Sequence, residues 1–337
     1  MIGKLAIAAV TFQVLVLAYM AGERELVVRT GHTVYLRTAP IDPRDVMRGD
    51  YVRLNYEIST VPQSMLRDGL ASKKLDPESE KDTRVYALLR EADNGIVELV
   101  GLSDKRPAKG LYIRGRLEPS WGGGTRVRYG LEAYFTEQGK ALALEQAGSR
   151  SGIQIPLEME VAVSRNGLAV IKGHRRRPLG IGLEVEMVTR GTQRIAVAAK
   201  VRLMNTGTND LAIVDLAGGC SLALVDASFD EPMWIWSPPV ESSNPKPSEV
   251  IVLKPGAEHT IRARLDDERW RVTQAHANDG EAKKQLLLSD LRQEPTTRFR
   301  FEYRPPSPEK CAGLPNGNLV WQGSLKTRAF SPAGWTD

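Results

Sequence analysis

Pro40-Ile41-Asp42-Pro43-Arg44-Asp45-Val46-Met47-Arg48-Gly49-Asp50-Tyr51-Val52-Arg53-Leu54-Asn55-Tyr56 is the stretch whose reading decides the fold. The two prolines restrict φ and push Ala39 and Asp42 toward extended backbone. Asp42-Pro43-Arg44-Asp45 reads as a turn, with the Asp42 carboxylate placed to accept nearby N–H groups. Gly49-Asp50 reads as a second turn, since glycine enters positive φ without a Cβ clash. A period-two pattern follows. Val52, Leu54, Tyr56 and Ile58 fall on one face, and Tyr51, Arg53, Asn55 and Glu57 on the other. That alternation predicts a half-buried strand over Tyr51–Ile58. Asp42, Asp45 and Asp50 are read as turn and ion-pair residues beside Arg44, Arg48 and Arg53. A cation-binding carboxylate cluster is the competing reading.

Working outward, the same period recurs along most of the chain. Thr33–Thr38, Arg84–Leu89, Ile96–Leu102, Leu111–Leu117 and Glu158–Ser164 are predicted strands, and Glu25–Val28 is read as another. Asp93-Asn94-Gly95 and Arg165-Asn166-Gly167 are hairpin turns. Residues 62–84 are polar and read as an exposed excursion. Ala141–Gln146 reads as briefly helical. Gly122-Gly123-Gly124 lacks the Lys-Ser or Lys-Thr of a phosphate-binding loop and reads as a connector.

A second block, Tyr129-Gly130-Leu131-Glu132-Ala133-Tyr134-Phe135, lies about 80 residues after the first. Together with Gly49-Asp50-Tyr51-x-x-Leu54-x-Tyr56 it resembles the bacterial GDYXXLXY family, over residues 5 to 173. The resemblance implies a membrane-anchored envelope protein without an established biochemical activity. It also implies Arg48, Gly49, Asp50, Tyr51, Leu54, Tyr56, Tyr129, Gly130, Glu132 and Tyr134 as motif or binding residues. The competing reading buries Tyr129, Leu131, Tyr134 and Phe135 and pairs Glu132 with an arginine.

The amino terminus fits that location. Leu5–Ala21 is an uncharged apolar run of roughly 17 residues, at the short end for a bilayer span. Lys4 precedes it, so the positive-inside rule leaves the amino terminus in the cytoplasm of an inner-membrane protein and the rest periplasmic. An uncleaved signal anchor over residues 1–22 is the adopted reading. A cleaved signal peptide, with Val16 and Ala18 as its small-residue pair, is the rival.

Cys220 and Cys311 are the two cysteines, and in an oxidising compartment they suggest one disulfide. It would close a loop of about 90 residues and contribute about 4 kcal/mol. Two separate buried thiols are the alternative.

The first domain, residues 23–173, ends at a basic run, Gly173-His174-Arg175-Arg176-Arg177-Pro178, read as a linker over residues 174–182. Residues 183–331 alternate over longer strands. Ile195, Val197, Ala199, Val201 and Leu203 line one face, as do Phe299, Phe301 and Tyr303. Gly/Pro turns between such strands suggest an immunoglobulin-like β-sandwich. Glu281–Leu291 is the one helical interruption, with an apolar stripe of Leu286, Leu287 and Leu291. Trp234, Trp236 and Trp321 are expected in the core, and Trp335 in a tail over residues 332–337. The fold class is therefore mainly all-β behind an amino-terminal helix.

Chemistry is sparse. At 337 residues, 42% hydrophobic, 26% charged and formally +5, the chain is an ordinary folded protein without a nucleic-acid-binding motif. His32, His174, His259 and His276 do not adopt a metal-ligand spacing, and no Gly-x-Ser-x-Gly elbow occurs. No catalytic residue, metal or cofactor is expected. The sequence points to a non-enzymatic binding or scaffolding component that contacts the membrane and another envelope protein or glycan. A hydrolase, or an accessory enzyme that processes glycan or peptide, is the alternative.

Overall fold

The computed structural model describes residues 2–38, 51–71, 82–92, 95–118, 125–135, 149–150, 152–190, 193–228, 232–237, 244–275, 282–293 and 296–333. The chain is mostly β and divides into two units. The first comprises Met1–Thr136 and Glu158–Arg175, and the second Glu137–Leu157 and Arg176–Asp337.

The first unit opens with a helix, α1 (Ile2–Thr30). Its sequence has no proline and places a glycine, Gly31, just past the end, where the Gly31 N–H returns to the Val27 carbonyl at 2.8 Å. Glu25–Val28, expected as a strand, lies inside this helix. The helical ladder continues through it, and Glu25 pairs with Arg29 one turn on at 2.6 Å. Val27 is buried, whereas the described side chains from Ala9 to Met20 are all exposed. Among the described residues, no helix is long and apolar enough to cross a membrane.

Strands β1 (His32–Arg37), β2 (Tyr51–Arg53), β3 (Thr60–Val61), β4 (Arg84–Glu91), β5 (Val97–Ser103), β6 (Leu111–Glu118), β7 (Thr125–Arg128) and β8 (Ala133–Phe135) follow. The chain then gives β9 (Ser149–Arg150) and β10 (Ile153–Gln154) to the second unit, and returns with β11 (Leu157–Val163) and β12 (Ala169–Arg176). One sheet runs β3-β7-β6-β4-β5, a second β1-β11-β12, and β2 pairs with β8. β1 pairs antiparallel with β11, as β4 does with β5 and β6, and β6 with β7, so alternate residues turn inward. Val34, Leu36, Val85, Ala87, Ile113 and Val161 are fully buried as a result.

The basic run expected as a linker is mostly strand. β12 extends to Arg176, because Arg175 reaches the buried Glu158 carboxylate on the adjacent strand at 2.7 Å and lies over the Tyr35 ring at 3.4 Å. Only Arg177 and Pro178 separate it from the next strand.

In the second unit the strands are β13 (Leu179–Arg190), β14 (Gln193–Asn205), β15 (Leu211–Val214), β16 (Leu222–Asp226), β17 (Trp234–Trp236), β18 (Val250–Leu253), β19 (Glu258–Arg264), β20 (Arg271–Gln274), β21 (Gln285–Leu287), β22 (Phe299–Tyr303) and β23 (Leu325–Lys326). They form sheets ordered β19-β14-β13-β10-β9, β15-β18, β16-β22-β23 and β17-β20-β21. One apolar core joins them, centred on Trp270, Phe301 and Phe330. Phe301 meets Trp270 edge-on at 5.1 Å and stacks on Phe330 at 5.4 Å. Asn205 is fully buried in this unit. Its amide donates to the carbonyls of Asn209 and Leu253, both at 2.8 Å, and its side-chain oxygen accepts the Gly207 N–H. That side chain ties the turn after β14 to β18.

Two expectations for this half are corrected. The helix expected over Glu281–Leu291 is not present among its described residues: Gln285–Leu287 pairs with β20, and Leu288–Gln293 forms a 3-10 turn. Leu288 and Leu291 are fully buried there, so the apolar residues serve the core from a strand and a turn. The cysteines are both free thiols. Cys220 is exposed beside the turn Ala217–Gly219, whereas Cys311 is sealed among Ala212, Val214, Leu216 and Val320. Trp234 is buried as expected and Trp236 and Trp321 pack against the core; Trp335 lies outside the described residues.

Candidate functional site

The two sequence blocks meet in space. Tyr51 pairs with Phe135, Val52 with Tyr134 and Arg53 with Ala133, so β2 and β8 form one antiparallel ladder. The Leu54 N–H extends it to the Glu132 carbonyl at 2.7 Å. The predicted strand then stops short. Beyond Leu54 the chains diverge, and Glu57–Ser59 coils into a 3-10 turn closed by Ser59 N–H on the Tyr56 carbonyl at 3.0 Å.

Below the ladder, two tyrosines cross between the blocks in opposite directions. Tyr56, 1% exposed, donates its hydroxyl to the Leu131 carbonyl at 2.7 Å. Tyr129, 8% exposed, donates to the Ile58 carbonyl at 2.7 Å. The acceptors Ile58 and Leu131 were not distinguishable in the sequence, because a backbone carbonyl has no residue signature. Leu54 is buried beside them. Burial, and then the negative charge of Glu132, push both phenols well above their ordinary pKa.

Glu132 pairs with no arginine among the described residues. Its carboxylate accepts the Tyr129 N–H at 2.6 Å and closes the turn around Gly130. Gly130 has φ +78° with open space where a Cβ would stand, so backbone conformation is the reason for glycine there. Tyr134 is half-buried rather than central. Its hydroxyl lies 3.3 Å from His174 Nδ1, and the rings meet edge-on at 5.7 Å. Sequence reasoning did not join His174 to the motif, because it lies 40 residues away in the basic run.

Arg48, Gly49 and Asp50 lie outside the described residues, as does His276, and Tyr51 is placed by its backbone alone. His32 pairs with Glu91 at 2.8 Å and His259 with Asp215 at 2.7 Å. Among the described residues no group of three His, Cys, Asp or Glu side chains is placed to hold a metal ion. The hydroxyls of Tyr56, Tyr129 and Tyr134 and one oxygen of Glu132 thus bond within the unit, and the arrangement works as a clasp that closes it.

A family model described as GDYXXLXY protein matches residues 13–173. The match starts inside α1, spans both blocks and ends in β12. No curated protein and no solved structure matches the chain.

Proposed function

Residues 13–173 of this chain are a GDYXXLXY domain, and from that premise we propose a bilayer-anchored binding or scaffolding protein of the bacterial envelope. In this reading α1 sits in the inner membrane with its amino terminus in the cytoplasm. Both units then stand on the periplasmic side, and the second is an immunoglobulin-like sandwich offered to another envelope protein or glycan.

The observation that carries the proposal is α1. Ile7, Phe12, Leu17 and Tyr19 are 69%, 68%, 65% and 72% exposed, on different sides of the helix. In water such an all-round apolar surface has no favourable partner; in lipid it has one. The described side chains alone fall short of a span. The sequence continues the run back through Ala8, Ala6 and Leu5. With 29 residues the helix is roughly 43 Å long, against a hydrocarbon core of about 30 Å. The non-enzymatic part of the proposal rests on the clasp, whose Tyr56 and Tyr129 hydroxyls already bond across the two segments and whose Glu132 carboxylate closes its own turn.

The test uses the native thiols. Cys220 is exposed and Cys311 buried, so a membrane-impermeant maleimide applied to intact spheroplasts should label Cys220 alone. The chain should also stay with membranes after alkaline extraction. Labelling of Cys220 only after lysis would reverse the orientation, and release by alkali would remove the anchor.

A further inference from the structure

The sheet β3-β7-β6-β4-β5 carries a row of like charges. Arg84 on β4 stands directly opposite Arg116 on β6, and Arg116 directly opposite Arg128 on β7. All three side chains are exposed, as is Arg126 in the next row. Neighbouring strands lie about 4.8 Å apart, so like charges facing across them repel. Relief within the described residues falls on Arg126 and Arg128 and does not reach Arg84 or Arg116. Asp82 takes Arg128 at 2.9 Å, and Glu118 lies 3.6 Å from Arg126 and 3.8 Å from Arg128. Arg116 reaches only the Asp82 backbone carbonyl, at 2.8 Å. Arg84 has no ion pair among the described residues. Exposed pairs of this kind offset little.

The second unit solves the same problem differently. On β13, β14 and β19, Lys200 and Arg262 share Glu186 at 3.0 and 2.6 Å, and Arg202 faces Glu258 at 3.8 Å. Cations there stand beside carboxylates. Among the described residues Arg84 and Arg116 have no carboxylate beside them, which leaves that part of the row open to an anionic partner.

We propose that this row docks on anionic phospholipid headgroups of the bilayer that holds α1, so that the first unit lies down on the membrane surface. The proposal rests on the anchor reading above. Charge complementarity favours phosphate-rich lipid, because a guanidinium presents a planar fork that matches phosphate oxygens. The tether to the helix is short as well. α1 passes into β1 through Gly31 alone, and Val27 packs into the first unit. A helix of roughly 43 Å leaves about 13 Å beyond the hydrocarbon, within the headgroup layer and about one Debye length. A sheet face with three arginines in one cross-strand row presents them together to an anionic surface.

The experiment places the full chain in nanodiscs of phosphatidylcholine, and of phosphatidylcholine mixed with phosphatidylglycerol. Arginine modification by phenylglyoxal is then followed residue by residue by mass spectrometry. On the anionic discs Arg84, Arg116 and Arg128 should react about fivefold more slowly, the factor corresponding to one basic side chain held near such a surface. Arg264 and Arg271, paired with Asp266 and Glu268 in the second unit, should react alike on both discs. High salt should abolish the difference. Equal rates on both discs, with the chain co-eluting with them, overturn the docking and leave the anchor standing. Equal protection by inorganic phosphate on neutral discs overturns it in favour of a small-anion site. Failure to co-elute with neutral discs overturns the anchor, and the docking with it.

Discussion

Tyr129→Phe removes one hydroxyl and tests whether the clasp holds the first unit closed. The lost bond is 2.7 Å long, and its acceptor, the Ile58 carbonyl, belongs to a residue only 6% exposed. Water cannot readily replace the donor, so the variant bears the cost of a buried, unsatisfied carbonyl, about 1–3 kcal/mol. Tyr56→Phe does the same to the Leu131 carbonyl. For a unit of this size each variant should melt about 2–10 °C lower. The two bonds tie the same pair of segments, so the double variant should cost less than the sum of the singles by at least about 0.5 kcal/mol. The phenols add a pH signature. Both are held above their ordinary pKa by burial and by Glu132, so the folded state keeps protons that the unfolded state releases. Their stabilisation is complete below about pH 10 and is lost as pH rises toward the higher folded values, at about 1.4 kcal/mol per pH unit for each phenol. Urea titrations of the full chain in neutral detergent, at neutral and alkaline pH, read both effects. Single variants within about 0.5 kcal/mol of native, or an alkaline slope unchanged by Tyr129→Phe, would refute the clasp.

Four further outcomes follow from the same contacts. Glu132→Gln keeps an acceptor for the Tyr129 N–H but removes the charge beside two phenols, so the slowest-titrating tyrosine absorbance should move to lower pH with little loss of stability. Gly130→Ala meets no neighbour but forces a left-handed backbone, and should cost about 1–2 kcal/mol in the same titration. Asn205→Ala deletes three hydrogen bonds made by a fully buried side chain and should destabilise the second unit by about 3 kcal/mol, read by the fluorescence of its tryptophans. Cys311 should react with a thiol reagent only on unfolding, since its enclosure also pushes the thiol pKa up, whereas Cys220 should react in the native chain.

How far the fold could be read depended on whether a residue's partner was local. Period-two alternation located β4, β5, β6, β11 and most strands of the second unit, because an antiparallel strand with one covered face writes its burial into every second residue. The errors fell where a distant partner overrode the local pattern. Glu25–Val28 is short and rich in β-branched residues like a strand, yet it continues a helix begun 23 residues earlier. Leu286, Leu287 and Leu291 have helical spacing, yet the ladder with β20 captures the first two. Two cysteines in one chain suggested a bridge, but a disulfide needs matched geometry. Here one thiol faces solvent and the other an apolar cluster. Of the candidate site, the residue types were legible and the pairings were not. Nothing near Tyr56 announces the Leu131 carbonyl as its acceptor, 75 residues away.

The division of labour inside the first unit bears on where a partner would be recognised. Leu54, Tyr56 and Tyr129 are buried, and Glu132 closes a turn, so these signature positions are committed to bringing β2 against β8. Substituting them perturbs folding first, and loss of a partner in such a variant cannot be assigned to contact. Residues that face outward lie elsewhere, on β4, β6 and β7, and they include the opposed arginines, of which Arg128 is paired with Asp82 while Arg84 and Arg116 have no carboxylate partner among the described residues. A chain under no demand but folding would relieve that row with a single acidic exchange, as β13, β14 and β19 do with Glu186. Arg116→Glu makes the separation measurable. It sits between two arginines, so it should raise stability by about 0.5–1 kcal/mol while weakening retention on anionic bilayers. A variant that gains stability and loses lipid contact assigns the row to binding. One that loses both would place Arg116 with the clasp, as part of what holds the sheet together.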